Sequence, residues 1–159
     1  MTIKEINKDL FDIPSDYALA HCISADFALG AGIAKEFDKR FNCREKLFGI
    51  CDKSFAPRWD AIPKQYRGNC LITSNEPIIF NLITKRNYWD KPTLETIENA
   101  LDMMRIGCEV CKVNKLAMPR IGCGLDKQKW ADIKPLIEKV FANTDVEIVV
   151  CIKEKNGRA

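Results

Sequence analysis

The segment Leu116-Ala-Met-Pro-Arg-Ile-Gly-Cys-Gly-Leu-Asp126 constrains the fold more than any other stretch of this chain. It reads as a short buried strand, a proline stop, and a loop with two glycines that ends in a carboxylate. A helical pattern follows, with Trp130, Ile133, Ile137, Val140 and Phe141 on one face. In an open α/β sheet, ligands sit beyond the carboxyl ends of the strands. Two glycines at such a point let backbone N–H groups approach an anion, and the next helix N-terminus adds partial positive charge. On spacing alone the simpler reading is a plain strand-to-helix turn in which Gly122 and Gly124 supply positive φ.

Other strand signals recur along the chain. Met1 to Ile6 has the character of an edge strand, and Tyr17 to Ile23 is a continuous apolar run bounded by turn residues, as a buried strand should be. Cys70 to Thr73 and Pro77 to Thr84 flank a tight Ser74-Asn75-Glu76 turn and read as an antiparallel hairpin. Lys115 to Met118 and Val146 to Ile152 supply the remaining strands. Helical patterns lie between them. Gly30-Ala-Gly32 introduces one through Arg40, with Ile33, Ala34, Phe37 and Phe41 at helical spacing. Leu47 to Cys51 continues helical character, and Pro57, Trp59, Pro63 and Gly68 mark an irregular excursion. Pro92-Thr93 starts the longest helix, whose core stripe is Leu94, Ile97, Leu101, Met104 and Cys108 and whose end falls near Val113-Asn114. The final helix runs to about Asn143. The expected fold is an α/β domain over residues 1–153 with helices on both faces of a mixed sheet, followed by a polar tail at 154–159.

A chain of 159 residues can bury one proper core. Its 25 basic and 22 acidic residues leave a net charge of +3, which does not single out nucleic acid as a partner. No run of 18 apolar residues and no signal-like start is present, so no membrane association and a cytoplasmic location are expected. The eight cysteines are scattered through apolar patterns and suit buried, reduced thiols. Cys108-Glu-Val-Cys111 lies inside a helix pattern without a second pair at zinc spacing, so helix packing is the better account of it.

The chemistry on offer is narrow. His21 is the sole histidine and sits in an apolar strand, which suits a hydrogen-bonded core residue better than a catalytic base. A histidine-based metal site is excluded by count, no phosphate-binding P-loop motif is present, and neither metal nor cofactor is expected. Two glycine-bearing loops follow strands, Ser24 to Gly32 and Pro119 to Leu125, and together they could clamp a diphosphate with backbone N–H groups. Lys85 directly follows the apolar strand Ile78 to Thr84, where partial desolvation would favour a nucleophilic amine. With Asp126 it could perform covalent chemistry at a sugar's anomeric carbon. The plainer reading makes Lys85 an exposed strand terminus and Asp126 the N-cap of the last helix.

The segments Ala20-His-Cys-Ile-Ser24, Gly30-Ala-Gly-Ile-Ala34, Leu82-Ile-Thr-Lys85, Lys91-Pro-Thr93 and Met118 to Asp126 occur in an order that resembles the macrodomain family. More narrowly they resemble its terminal ADP-ribose protein glycohydrolase branch, which includes the macrodomain of a bacterial DNA ADP-ribosylation antitoxin. The resemblance covers nearly the whole chain. It implies a three-layer α/β/α domain, a monomer, that binds ADP-ribose over the strand ends. It implies that Lys85 attacks the anomeric carbon of the distal ribose and that Asp126 acts as acid/base. Ligand-binding positions carried over in the same way are Asp9 and Leu10 at the adenine, His21 and Ser24 near the first loop, and Gly30, Ala31, Gly32 and Ile33 within it. Arg120, Ile121, Gly122, Cys123, Gly124 and Leu125 follow in the second loop, and Lys153 at the end of the last strand. Lys8 departs from the glycine usual before Asp-Leu-Phe, and the Phe55 to Gly68 segment is longer and richer in Trp, Pro and Arg than the family pattern.

The implied activity is removal of mono-ADP-ribose from protein carboxylates or nucleic-acid bases, with O-acetyl-ADP-ribose deacylation as a further option. The implied partners are ADP-ribose and ADP-ribosylated protein or DNA. A non-catalytic ADP-ribose reader and an ADP-ribose 1″-phosphatase are the alternatives. A pure reader has no need of the lysine and carboxylate, and the phosphatase reading lacks a further catalytic histidine.

Overall fold

A computed structural model describes residues 1–124 and 126–153. Its strands are β1 (Thr2–Asn7), β2 (Ala18–Ser24), β3 (Asn69–Asn75), β4 (Ile78–Lys85), β5 (Lys115–Met118) and β6 (Glu147–Ile152). They form a six-stranded sheet in the order β1-β6-β5-β2-β4-β3. Every neighbouring pair is parallel except β3 with β4, which is the antiparallel hairpin expected from the sequence.

Alternation along the strands divides the core into two layers. Phe80 and Leu82 of β4, Leu116 and Met118 of β5, and Ile148 and Val150 of β6 face one side. There they meet α4 (Leu94–Val110) and α5 (Trp130–Phe141) through Ile97, Leu101, Met104, Ile133, Ile137 and Phe141. Ile79 and Ile83, Ala117, Val149 and Cys151 face the other side. That layer is covered by α1 (Gly32–Phe41), α2 (Cys43–Ile50) and the short α3 (Ala56–Trp59), through Phe37, Cys43, Leu47 and Trp59. The result is a three-layer α/β/α arrangement.

Local details correct the sequence-based expectations. Leu94 is 40% exposed, and the buried stripe of α4 is instead Thr96, Ile97, Ala100, Leu101, Met104 and Cys108. That helix stops at Val110, with Lys112 in left-handed geometry at φ 56°, short of the expected Val113-Asn114. Strand β6 fills the gap between β1 and β5. The polar tail at 154–159 lies outside the described residues. All eight cysteines are free thiols. Cys43, Cys51, Cys108 and Cys151 are buried as small hydrophobes, while Cys111, the second cysteine of the C-x-x-C pair, is exposed beyond the end of α4.

Among the described residues, no helix is long and apolar enough to cross a membrane.

His21 is fully buried. Its ring stacks on Phe37 at 3.8 Å between centroids, and its Nε2 lies 2.6 Å from Asn81 Oδ1. Asn81 in turn donates to the Leu71 carbonyl and to Thr73 Oγ1, so three strands share one polar spine. Burial pushes the imidazole pKa down from 6.5 to about 4, against the opposing pull of the Asn81 bond. An unfolded chain takes up this proton below pH 6.5, whereas the folded chain refuses it until about pH 4. Stability from His21 is therefore complete above pH 6.5 and lost as pH falls toward 4. Denaturant titrations across that window should register a fall of up to about 3 kcal/mol from this group. A flat profile would contradict the buried neutral ring.

Candidate active site

The order of the strands places the site. From β2 the chain leaves into α1 on one face, while from the adjacent β5 it leaves into α5 on the other. Loops that part to opposite faces open a crevice at the carboxyl ends of β2 and β5, the position where ligands bind in open α/β sheets. Both glycine-bearing loops begin there.

Lys85 ends β4, in register with Ser24 of β2. Its backbone is fastened on three sides. The Lys85 carbonyl accepts from Ala25 N at 2.8 Å, and the Arg86 carbonyl accepts from Asp26 N at 3.1 Å. The Thr84 carbonyl accepts from Thr96 Oγ1 at 2.6 Å. Thr96 is itself locked at the start of α4 by a reciprocal capping box with Thr93, which is why Lys91-Pro-Thr93 matters to the site. From this anchorage Lys85 Nζ donates to Asp126 Oδ1 at 2.5 Å, and each side chain is only 13% exposed. The sequence suggested that the two could act together, and the structure joins them across 41 positions of chain.

Asp126 is not the helix cap. Helix α5 starts at Trp130, its N-cap position is Lys129, and no side-chain capping bond is present there. The intervening turn at Lys127, φ 58°, separates the carboxylate from the helix and leaves it to Lys85. Gly122 adopts φ 75°, and a Cβ there would meet Ile97 Cδ1 at 3.4 Å. Both features let the loop double back so that Gln128 N reaches the Gly122 carbonyl at 2.7 Å. Beneath the pair lies Cys22. Burial pushes its thiol up to about 12, the Asp126 carboxylate adds to the rise, and Lys85 opposes it. The thiol stays protonated at neutral pH.

Asp26 organises the first loop, a role that no spacing motif announced. Its carboxylate accepts from Ser24 Oγ at 2.5 Å, Ala28 N at 3.1 Å and Tyr88 N at 2.9 Å. It thus ties the loop after β2 to the segment after Lys85. The only sequence signal was an aspartate just past a strand, able to accept from the backbone two residues on. Phe27 and Leu29 are both buried and both held at positive φ, 57° and 43°, which leaves Gly30, Ala31 and Gly32 exposed and Ile33 half-buried.

The other expected positions separate into groups. Asp9 and Lys153 pair at 3.0 Å beside the end of β6, and Arg40 lies 4.4 Å over the Phe11 ring next to them. The Phe11 N–H and then Lys153 hold the Asp9 carboxyl below the usual range. Leu10 and Ile121 are 4% and 2% exposed, so in this state their side chains belong to the core. The Arg120 guanidinium points to Glu5 at 2.9 Å and over Trp130, away from the second loop's glycines. His21 is fully buried between Asn81 and Phe37. Leu125 lies outside the described residues.

Helices on both faces of a mixed six-stranded sheet, with two loops parting at its carboxyl edge, make the fold that solved macrodomains share. Among solved structures the macrodomain of Thermus aquaticus DarG superposes with a TM-score of 0.76 at 19% identity, over 95% of this chain and 98% of that one. Thermosipho africanus DarTG in complex with ADP-ribose superposes with a TM-score of 0.67 at 16% identity, over 99% of this chain and 43% of that one. No protein-family model matches the chain. At the level of sequence, human ADP-ribose glycohydrolase OARD1 is 38% identical over 149 residues, 93% of this chain and 90% of the human protein. The chain belongs to the macrodomain ADP-ribose glycohydrolases of the OARD1 type.

Proposed function

We propose that this protein binds ADP-ribose and hydrolyses the bond between its distal ribose and a modified macromolecule, with Lys85 as nucleophile and Asp126 as acid/base. The observation that carries the reading is the 2.5 Å Lys85–Asp126 pair, largely withdrawn from water at the point where the two loops part. Asp126 takes a proton from Lys85, and the freed Nζ attacks the anomeric carbon. The carbon–oxygen or carbon–nitrogen bond to the acceptor breaks, and its electron pair leaves with the acceptor. Water then adds at the anomeric carbon, Lys85 departs as the amine, and free ADP-ribose results. The N–H groups of the first loop from Gly30 to Ile33 and of the second loop around Gly122 to Gly124 are the binding elements for the diphosphate and distal ribose. Asp9, beside Lys153 and Arg40, binds at the adenine end.

A pure reader would leave the half-buried ion pair without a role. The reading is tested by incubating the protein with a glutamate-ADP-ribosylated peptide, an oligonucleotide ADP-ribosylated on a base, and ADP-ribose 1″-phosphate. Release of ADP-ribose from the peptide or the oligonucleotide is expected. ADP-ribose binding with no release would make the protein a reader, and phosphate release alone would make it a phosphatase.

A further inference from the structure

Lys85 reaches Asp126 because the ladder between β2 and β4 slips by one residue just before it. Along that ladder Leu19 and Ile23 stand opposite Ile79 and Ile83, while Ala20 and Cys22 stand opposite Phe80 and Leu82. Residues paired in this way share a face of the sheet. Leu19, Ile23, Ile79 and Ile83 belong to the layer under α1 and α2. Ala20, Phe80 and Leu82 belong to the layer under α4 and α5, and Cys22 packs against it. Strict alternation would set Ser24 opposite Thr84 and turn Lys85 to the α1 side, with Ile83. Instead the register shifts after Ile23, and Ser24 stands opposite Lys85. Ser24 lies two residues past Cys22 and shares its face, so Lys85 is delivered to the α5 side. There the loop that enters α5 presents Asp126. Bulges are rare between parallel strands, and next to active sites they re-aim a side chain.

The slip leaves one residue out of the sheet's pairing. Among the described residues of β4, Thr84 alone has no partner in either β2 or β3. Thr84 is fully buried, and a buried carbonyl outside the ladder has to find a hydrogen bond elsewhere. Thr96 provides it. Its Oγ1 donates to the Thr84 carbonyl at 2.6 Å, closer than its contact with the Thr93 carbonyl at 3.0 Å. Past the bulge the hold is independent of Thr96. The Lys85 and Arg86 carbonyls accept from Ala25 N and Asp26 N, and the Asp26 carboxylate accepts from Ser24 Oγ and Tyr88 N. The first glycine-bearing loop is thus fixed by Asp26, while the residue that re-aims the lysine is fixed by one hydroxyl of α4.

We propose that Thr96 is a positioning residue for the hydrolysis, acting through the Thr84 carbonyl to keep the bulge that aims Lys85 at Asp126. The proposal rests on the hydrolase reading above and adds to it a residue that touches neither substrate nor reacting atoms. Thr96→Val keeps the shape, removes the hydroxyl and leaves the Thr84 carbonyl to return to the ladder. It is expected to lower kcat for ADP-ribose release about a hundredfold, the scale on which a misplacement of about 1 Å acts. KM and affinity for free ADP-ribose should not move, because Asp26 still holds the first loop. Thr96→Ser returns the hydroxyl and should recover most of the rate. Met103→Gly, on the exposed face of the same helix, reports what lost helix stability does by itself and should leave kcat unchanged. A crystal structure of Thr96→Val is read without reference to turnover. It should show Lys85 Nζ withdrawn from Asp126 and Ser24 opposite Thr84. An intact ion pair with Ser24 still opposite Lys85 would overturn the proposal. So would a loss of kcat that Met103→Gly equals or that Thr96→Ser fails to recover. If the wild type releases nothing from any ADP-ribosylated substrate, the hydrolase reading falls, and the crystal structure alone decides whether Thr96 aims Lys85.

Discussion

Lys85→Ala is expected to slow ADP-ribose release by about four orders of magnitude, the scale on which removal of a covalent nucleophile acts. The substitution deletes the attacking atom and frees the Asp126 carboxylate, but it disturbs none of the backbone bonds that hold Thr84, Lys85 and Arg86 in place. Affinity for ADP-ribose should therefore persist, and titration of the variant with the nucleotide separates lost chemistry from lost binding. Asp126→Asn keeps the shape and removes the proton acceptor, and should slow release about a hundredfold or more. A second measurement targets the adduct itself. Cyanoborohydride added during turnover should reduce an imine between Lys85 and the opened ribose and leave ADP-ribose covalently on that residue. Full activity in Lys85→Ala would eliminate the covalent route even if hydrolysis were real.

The other large effect lies at Gly68, outside the site. Its φ is +120°, and a Cβ built there would stand 2.3 Å from the Thr96 carbonyl oxygen and 3.0 Å from Asn99 Cβ. Backbone oxygen cannot swing aside as a flexible side chain can. Strained φ and the forced contact together should cost Gly68→Ala about 4 kcal/mol, measurable as a shift in the denaturant midpoint. The displaced turn is the one whose Thr96 hydroxyl holds the Thr84 carbonyl next to Lys85. Any folded fraction should consequently show a lower kcat as well. A variant with wild-type stability would mean that the Asn69 end of β3 and the start of α4 can separate freely.

Much of this was legible in the chain because local physics and final structure agree there. Apolar runs at Tyr17 to Ile23 and Ile78 to Thr84 became strands, and the hairpin formed, though its turn is Glu76-Pro77 and the expected turn residues Ser74 and Asn75 extend β3. Lys85 and Asp126 stood out as groups just past strand ends. That the two could share a crevice was open to the sequence, but their direct ion pair was not, because it depends on β2 lying between β4 and β5, and strand order is a property of the whole sheet. Asp126 resembled a cap because an aspartate before a helix pattern usually is one. The left-handed Lys127 that breaks this expectation has no sequence signature of its own. Asp26 escaped notice for a related reason: its third partner, Tyr88 N, is 62 positions away. Leu94 matched the helical stripe by spacing, yet it sits at the first turn of α4, where the sheet no longer covers it.

The placement of β6 has a consequence for how the protein comes into being. It is the last of the six strands to be synthesised, yet it is inserted between β1, the first, and β5. Until it emerges from the ribosome, β1 has no hydrogen-bonded neighbour and Asp9 has no Lys153 beside it. A nascent chain arrested before residue 147 would already carry Lys85 and Asp126 but would lack the Asp9–Lys153 pair. The sheet, and with it the Asp9–Lys153 pair, should therefore be completed late in translation.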